Sequence, residues 1–458
     1  MRILLLAHSF NSLTQRLWVE LSRAGHDISL ELDVNDAVTV EAAELAQPDL
    51  IIAPFHKRAI PEHVWRQHKT LVVHPGPEGD CGPAALDWAI LDGAESWGVT
   101  VLQAEAEMDA GPVWASRAFP LRAATKSSLY RNEVTEAAVE AVFEALDAQA
   151  PRRPETTIWR PAMPQDRRAI DWRTDDTATV LRKLRASDGS PGVRDGDLFL
   201  FDGHAADGLG GAPGQWLGRQ DGRLARATVD GAVWIGRLRA AGKGALKLPA
   251  ADVLPGGADL PVIPGHHDIW YDEKRGVGYL HFPFHNGAMS TGQCRRLKDA
   301  FLAASARPTK VICLMGGPDF WSNGIHLATI EAAQSPADES WRNINAMNDL
   351  CQAIITCGSH LTVAAMAGNA GAGGVFMALA ADMVLARQGV FLNPHYKGMG
   401  NLYGSEYWTY LLPRRCGADN AARVTSARLP MGTAEALELG LVDGAFGASV
   451  PEFRALAC

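Results

Sequence analysis

The amino-acid sequence predicts an α/β protein with a doubly wound, Rossmann-like N-terminal domain, a small OB-like β-barrel and a second α/β domain. Three observations predict this fold class. Apolar strands alternate with helical segments over residues 1–150, short β runs alternate with glycine clusters over 157–255, and buried strands separated by helices fill 262–458. Linkers rich in proline or glycine, at 151–154 and 255–259, separate the three parts.

Composition favours a soluble multidomain enzyme over a nucleic-acid-binding protein. The 458 residues can bury two or three cores, and the net charge of −9 is opposite to the basic face of a nucleic-acid binder. No apolar run reaches the roughly 18 residues of a membrane span. The seven cysteines are scattered and include no C-x-x-C pair, which argues against a disulfide framework and a zinc site. We therefore expect a cytoplasmic protein that uses no metal and binds neither membrane nor nucleic acid.

The first part begins with the alternation typical of a parallel sheet. Strands are predicted at 3–7, 28–32 and 48–54, and helices at 12–24, 39–46 and 133–148. No G-x-G-x-x-G sequence follows the first strand, so a nicotinamide cofactor is not expected.

The stretch from residue 72 to residue 111 is expected to bring a histidine and an aspartate to the neighbouring ends of two apolar strands. His74 closes one strand, and Asp109 follows the strand at 98–102. Because open α/β sheets bind ligands at the carboxyl ends of their strands, this pair is suited to move protons on a substrate. Taken singly, the two residues are explained equally well as a turn histidine and a capping aspartate.

The whole stretch resembles the 10-formyltetrahydrofolate-dependent formyltransferases, which carry Asn-x-His-Pro-Ser, Arg-Gly-x-x-Pro, Gly-Val-Thr and Leu-Asp-x-Gly in this order. Residues 72–76, 80–83, 98–100 and 108–111 keep that order. The resemblance implies that His74, held by Asp109, assists formyl transfer from 10-formyltetrahydrofolate. It also implies that the strand at 48–54 and the loop after it line the folate pocket. Val72 stands where the family has its Asn, so the first oxyanion lacks its usual donor.

The second part resembles the C-terminal domain of methionyl-tRNA formyltransferase. The likeness rests on Ile170-Asp171-Trp172 and on the Leu-Arg-Ala…Pro-Gly pattern over 184–192. Short β runs after residue 198 predict the OB-like barrel. A plain spacer role explains this domain equally well, and the acidic balance gives no reason to expect that it binds RNA.

Two loops in the third part carry glycines after predicted strands. Residues 321–327 and 367–374 resemble the two loops of the crotonase, or enoyl-CoA hydratase/isomerase, family. In that family each loop gives one backbone N–H to an oxyanion hole for a coenzyme A thioester. Carried over by position, the donors are the amides of Ile325 and Gly373. Fixed N–H dipoles of this kind stabilise a developing oxyanion.

The catalytic positions of the third part depart from those of the hydratases. Hydratases use two glutamates, and Phe376 and His395 stand at those positions here, so hydration of a double bond is not expected. We expect Tyr396 and Glu406 to transfer protons instead, with His395 as an additional candidate. The other aromatic residues of this stretch are expected to pack: Tyr403, Tyr407 and Trp408.

A formyltransferase joined to a crotonase-like domain is similar to the maturation factors that make carbon monoxide for nickel–iron hydrogenases. The resemblance covers the whole chain and implies formyl transfer to coenzyme A followed by decarbonylation of formyl-CoA. Other hydrogenase maturation proteins are then expected partners. Two alternatives stay open: a formyltetrahydrofolate hydrolase or transferase whose inert crotonase domain serves binding or assembly, and a non-enzymatic scaffold. Crotonases carry further helices after Gly-Leu-Val-Asp, so we expect the sequence to lack them beyond Cys458.

Overall fold

The structure is a computed structural model that describes residues 1–396 and 404–458. The chain divides into two compact units, Met1–His266 and His267–Cys458. The first unit contains two six-stranded sheets that correspond to the first two predicted parts, together with one two-stranded sheet, and the second unit contains the sheets of the third part.

The N-terminal part of the first unit alternates strands and helices. Its strands are β1 (Arg2–Ala7), β2 (Asp27–Leu32), β3 (Leu50–Phe55), β4 (Thr70–His74), β5 (Asp80–Cys81), β6 (Ser96–Gln103), β7 (Val113–Pro120) and β8 (Ile158–Trp159). Its helices are α1 (Ser12–Arg23), α2 (Asp36–Ala46), α3 (Glu62–Gln67), α4 (Ala85–Leu91), α5 (Lys126–Leu129) and α6 (Thr135–Asp147), with a π-helical turn at Tyr130–Val134. Helix α2 begins earlier than predicted because the Asn35 side chain caps it by accepting a hydrogen bond from the Val38 N–H.

Six of these strands form one sheet in the order β2-β1-β3-β4-β6-β7. Strands β1 to β4 are parallel, whereas β6 runs antiparallel to both β4 and β7. Apolar residues such as Leu5, Ile52 and Val101 are fully buried between the sheet and its helices. This arrangement confirms the doubly wound α/β fold predicted for the N-terminal part.

The direction of β6 contradicts one assumption of the sequence analysis. His74 at the end of β4 lies opposite Thr100, and Leu71 lies opposite Gln103. The carboxyl ends of β4 and β6 are therefore at opposite edges of the sheet, so the expectation that they meet is wrong. The loop at 104–112 returns toward His74 and brings Asp109 to it.

The second part of the first unit is an antiparallel sheet with short helices. Its strands are β9 (Val193–Asp195), β10 (Leu198–Ala205), β11 (Trp216–Gln220), β12 (Arg223–Ala227), β13 (Ala232–Ala240) and β14 (Leu248–Pro249). Its helices are α7 (Gln165–Arg168), α8 (Thr177–Ala186) and α9 (Ala250–Val253), with a 3-10 turn at Gly257–Asp259. The strand order is β11-β12-β13-β10-β9, and β14 pairs with β13. Leu184 of α8 packs in the core with Val233 and Leu238.

The segment between the two parts is not a free linker. Arg152 forms a β-bridge with Val113, and β8 pairs in parallel with β5. The chain between the two predicted domains is therefore attached to the N-terminal part over several residues before it enters the second sheet.

The second unit is built on a six-stranded sheet with a smaller sheet beside it. Its strands are β15 (Trp270–Lys274), β16 (Val277–Phe282), β17 (Ala288–Met289), β18 (Val311–Gly316), β19 (Phe320–Ser322), β20 (Gly324–Ile325), β21 (Leu361–Met366), β22 (Asn369–Gly371), β23 (Met383–Arg387), β24 (Phe391–Asn393), β25 (Met431–Gly432) and β26 (Gly444–Phe446). Its helices are α10 (Thr291–Ser305), α11 (Leu327–Glu331), α12 (Pro336–Ile355), α13 (Gly373–Leu379), α14 (Trp408–Cys416), α15 (Ala418–Ala427), α16 (Thr433–Glu438) and α17 (Val450–Ala457), with a 3-10 turn at His285–Gly287.

The main sheet of the second unit has the order β15-β16-β18-β21-β23-β26 and is parallel except for β15. The smaller sheet has the order β19-β22-β24-β25, and β17 pairs with β20. The two glycine-bearing loops, at 321–327 and 367–374, follow the main strands β18 and β21 and overlap the short strands β19, β20 and β22. Both loops therefore lie beyond the carboxyl ends of buried strands, as the sequence predicted.

Residues 1–396 and 404–458 were compared with the requirements of a membrane-spanning helix and of a metal site. No helix there is long and apolar enough to cross a membrane. No group of three or more His, Cys, Asp or Glu side chains there is arranged to hold a metal ion.

Candidate functional site

His74, the last residue of β4, is buried between two carboxylates. Its Nε2 lies 2.9 Å from Asp80 Oδ2, and its Nδ1 lies 3.6 Å from Asp109 Oδ1. Only the first distance is a hydrogen bond. The structure therefore brings His74 and Asp109 together, but the aspartate that holds the imidazole is Asp80. Sequence reasoning missed Asp80, although it directly precedes the Cys81-Gly82 pair of the recognised motif.

Asp109 is fixed by the backbone of the loop that contains Gly82. Its Oδ2 accepts a hydrogen bond of 3.0 Å from the Gly82 N–H, and its carbonyl accepts one from the Cys81 thiol. Asp109 itself adopts a left-handed backbone with φ +60°, a conformation that aspartate tolerates better than most residues. These contacts direct Oδ1 toward His74.

Asp109 also lines a cleft of about 460 Å³ beside the sheet. Its other walls include Ile60, Val72, Leu102 and Met108. Val72, which replaces the family's Asn, is therefore part of the cleft wall, and it offers no hydrogen-bond donor there.

An ion pair between a partly exposed arginine and a buried aspartate, which the sequence did not indicate, borders the same cleft. Arg58 donates hydrogen bonds to both carboxylate oxygens of Asp33, at 2.5 and 3.0 Å, and holds the pKa of Asp33 below its usual value. Burial lowers the pKa of the neighbouring His56, whose Nδ1–H donates to the Arg58 carbonyl at 2.7 Å. In the neutral ring the other nitrogen then carries a lone pair. His56 therefore does not supply the donor that is missing at Val72.

In the second unit, Tyr396 and Glu406 form a buried pair. The Tyr396 hydroxyl donates a short hydrogen bond to Glu406 Oε2, which also accepts one of 3.3 Å from the Ser405 N–H. Tyr396 is 8% and Glu406 2% exposed. The Asn348 side chain accepts the Glu406 N–H at 2.8 Å and so anchors the backbone of this turn.

The surroundings of the pair suit proton transfer. Burial raises the pKa of Glu406 above its usual value, which brings a carboxyl group closer to the range where it exchanges protons at neutral pH. Burial and the Glu406 charge raise the pKa of Tyr396. The tyrosine therefore keeps its proton and acts as a donor to the carboxylate.

The Glu406 carboxylate lies at one of the two proposed oxyanion amides. A Cβ placed on Gly373 would collide with this carboxylate, and Oε1 is the nearer of its oxygens. The loop at 321–327 lies close to this amide, because a Cβ on Gly324 would lie 3.2 Å from the Gly373 nitrogen. Ile325 follows Gly324 and pairs with Met289 across β17 and β20. The glycines thus allow the two loops and the carboxylate to approach one another.

His395, the chain neighbour of Tyr396, makes no hydrogen bond to this pair. Its ring is half-buried, its two nitrogens make no hydrogen bond within the described residues, and burial lowers its pKa.

The other hydratase position is filled by the ring of Phe376, which stacks on Tyr396 with centroids 5.5 Å apart. Trp408 packs against Phe376 as expected, whereas Tyr407 is 39% exposed. Tyr403 lies outside the described residues.

Comparison with known proteins finds three family matches along the chain. Residues 31–146 match the formyl transferase family, residues 162–252 match the formyl transferase C-terminal domain, and residues 273–456 match the enoyl-CoA hydratase/isomerase family. The chain is 58% identical to hydrogenase maturation factor HoxX of Bradyrhizobium diazoefficiens over 97% of this chain and 81% of the relative. The chain belongs to the HypX/HoxX family of hydrogenase maturation factors.

Solved structures of this family have the same fold. HypX of Aquifex aeolicus in complex with tetrahydrofolic acid is 51% identical and has a TM-score of 0.97, covering 100% of this chain and 85% of that one.

A more distant sequence relative, a methionyl-tRNA formyltransferase from Granulibacter bethesdensis, is 29% identical over 39% of this chain and 59% of its own length. The predicted membership of the HypX/HoxX family and the predicted fold class are confirmed.

Proposed function

We propose that this protein makes carbon monoxide for the CO ligand of a nickel–iron active site. It transfers the formyl group of 10-formyltetrahydrofolate to coenzyme A, and then splits formyl-CoA into CO and CoA. The observation that carries the proposal is the buried Tyr396–Glu406 pair held against Gly373 in the hydratase-like unit. The tetrahydrofolic acid bound to the Aquifex aeolicus relative supports a folate donor for the first unit. Other hydrogenase maturation proteins are the proposed partners, and the cytoplasm is the proposed location.

The first step exchanges nitrogen for sulfur on the formyl carbon. The thiol sulfur of coenzyme A bonds to this carbon, the bond to N10 breaks, N10 takes a proton and the thiol gives one up. His74 moves these protons, and the cleft-lining Asp109 stabilises positive charge on the ring while it does so. The apolar wall at Val72 leaves the formyl oxygen without an Asn donor.

The second step breaks two bonds of formyl-CoA. The formyl carbon loses its proton, the carbon–sulfur bond breaks with its electron pair going to sulfur, and the sulfur takes a proton. In this proposal Glu406 accepts the formyl proton, Tyr396 protonates the sulfur, and their hydrogen bond returns the proton from Glu406 to Tyr396. The Ile325 and Gly373 amides polarise the carbonyl. CO and CoA are the products.

Purified protein supplied with 10-formyltetrahydrofolate and coenzyme A tests the proposal directly. CO should form in a coenzyme A-dependent reaction and bind to a haem protein added as a trap. If formate appears instead, at a rate that coenzyme A does not change, the chain is a formyltetrahydrofolate hydrolase with an inert second unit. Strong folate binding without any turnover would favour a scaffold.

A further inference from the structure

We propose that Asp80 and Arg160 are positioning residues that hold the His74 imidazole with its proton on Nε2 and its Nδ1 directed to the cleft side. The catalytic purpose of this arrangement rests on the proposed formyl transfer. The arrangement itself is carried by the contacts of Asp80. Asp80 opens the 80–83 segment of the formyltransferase motif, but the motif gives it no role, and Arg160 lies outside the motif.

Asp80 uses its two carboxylate oxygens on two different side chains. Oδ2 lies 2.9 Å from His74 Nε2, and Oδ1 accepts a hydrogen bond of 2.8 Å from Arg160 Nε. The side chains of His74 and Asp80 are each 4% exposed, so water does not compete for this contact. Because an ionised carboxylate only accepts hydrogen bonds, the proton between the ring and Asp80 belongs to Nε2.

The second ring nitrogen then becomes the one that exchanges protons. In a neutral imidazole one nitrogen carries the proton and the other a lone pair, and the hydrogen bond made by the first fixes this choice. Nδ1 faces Asp109 Oδ1 at 3.6 Å, and Asp109 lines the cleft. Asp80 thereby directs the reactive nitrogen of His74 toward the side on which substrate is expected.

The backbone of Asp80 is held by the segment that carries Arg160. Strand β5, which begins at Asp80, pairs in parallel with β8. A Cβ on Gly79 would collide with the Thr156 carbonyl, and a Cβ on Gly82 would collide with the Arg160 carbonyl. Both glycines have positive φ angles. Two glycines therefore let the connecting segment lie directly on the loop that presents Asp80.

Arg160 also determines what the substitution Asp80→Asn does. The Arg160 N–H needs an acceptor, so the amide oxygen of the new side chain turns toward it. The amide NH₂ then faces His74 Nε2 and requires a lone pair there. The ring proton must move to Nδ1, which is the wrong tautomer for a base on the cleft side.

NMR of protein labelled at the histidine ring nitrogens measures this tautomer without any turnover. At alkaline pH, with His74→Gln to assign the signal, wild-type His74 should carry its proton on Nε2, and Asp80→Asn should move it to Nδ1. Asp92→Asn is the matched control, because Asp92 is an exposed second carboxylate 3.5 Å from the Arg160 guanidinium. The proposal is overturned by a neutral wild-type ring protonated on Nδ1. A folded Asp80→Asn protein with the wild-type signal overturns it equally.

Kinetics of formyl transfer give the second measurement. Asp80→Asn should lower kcat by about 10²–10⁴-fold and leave KM for 10-formyltetrahydrofolate within about twofold. Adding Arg160→Ala frees the amide to turn and should restore kcat by about tenfold over Asp80→Asn alone. A loss of kcat in Asp80→Asn without a change of tautomer would contradict the positioning role. If the NMR signals show the expected tautomers but the protein never transfers a formyl group, the positioning role stands and the proposed function is wrong.

Discussion

The Glu406 carboxylate packs against the α-carbon of Gly373, the residue whose amide opens helix α13. No side chain fits at residue 373, because a methyl group there would occupy the space of the carboxylate. The proposed base and the proposed oxyanion donor are therefore in direct contact. In the proposed reaction, one small region therefore both polarises the thioester carbonyl and removes the formyl proton.

Glu406→Gln and Tyr396→Phe should each slow CO release from supplied formyl-CoA by about 10²–10⁴-fold, the usual contribution of positioned proton transfer. Both substitutions preserve the size of the side chain, so coenzyme A affinity should change little. Accumulation of formyl-CoA from the folate donor, followed by chromatography, provides the measurement.

His395→Ala is the control for this pair. The ring of His395 makes no hydrogen bond within the described residues, so its removal should leave CO release near normal. Collapse of the rate in His395→Ala, with near-normal rates in Glu406→Gln and Tyr396→Phe, would move the chemistry to the histidine.

His74→Ala and Asp109→Asn should abolish use of 10-formyltetrahydrofolate, because both residues belong to the first unit's proton-transfer group. Cleavage of supplied formyl-CoA should continue at the wild-type rate. The two reactions are measured in parallel on the same preparation. If a folded variant loses both, the two centres do not act independently.

Glu406→Gln should also stabilise the protein at neutral pH. Burial raises the pKa of Glu406 above its ordinary value of 4.5, so the folded chain keeps a proton that the unfolded chain has already released. The free energy of unfolding of the wild type therefore falls as pH rises through the window above 4.5. The slope within this window reaches about 1.4 kcal/mol per pH unit.

The measurement is urea unfolding of wild type and Glu406→Gln across that pH range. The stability advantage of the variant should grow as pH increases, and it should vanish at pH values below the window. A difference that is constant at every pH would show that Glu406 holds no extra proton in the folded state.

Tyr407→Gly should melt at a higher temperature than Tyr407→Ala. Tyr407 has a left-handed backbone with φ +56° and is 39% exposed, so both variants lose the same ring contacts and only the glycine variant relieves the backbone strain. An L-residue in this conformation costs about 1–2 kcal/mol, which glycine avoids. Tyr407→Ala removes the same ring and keeps the Cβ, and it should melt below the glycine variant. Equal melting temperatures for the two variants would mean that this turn is unstrained.

The strands were the most predictable part of the molecule. Apolar runs such as those of β3, β16 and β21 are long and bounded by polar or glycine residues, and burial of such runs is a local property of the sequence. The direction of β6 was not predictable in the same way, because an apolar run does not indicate whether its strand is parallel or antiparallel to its neighbours. The sequence therefore identified His74 and Asp109 but assigned the wrong geometry to them.

The contacts within the two centres depend on features that no pattern reveals. Asp80 reaches His74 because the chain returns some 80 residues later as β8 and braces its loop. Glu406 points inward because Gly404, Glu406 and Tyr407 all adopt positive φ angles. Propensity would assign a polar, exposed loop to these residues, and tertiary contacts override it.

The pairing of β5 with β8 bears on how the domains of this protein can be exchanged in evolution. Composition places a boundary near residue 150, yet the strand that supports the histidine centre begins at Ile158. A recombination event that cut at the compositional boundary would deliver the N-terminal domain without Arg160 and without the edge that braces Asp80. The unit that can be exchanged is therefore the N-terminal domain together with the segment that follows it as far as Arg160. A transplanted domain needs that segment to keep Asp80 in place.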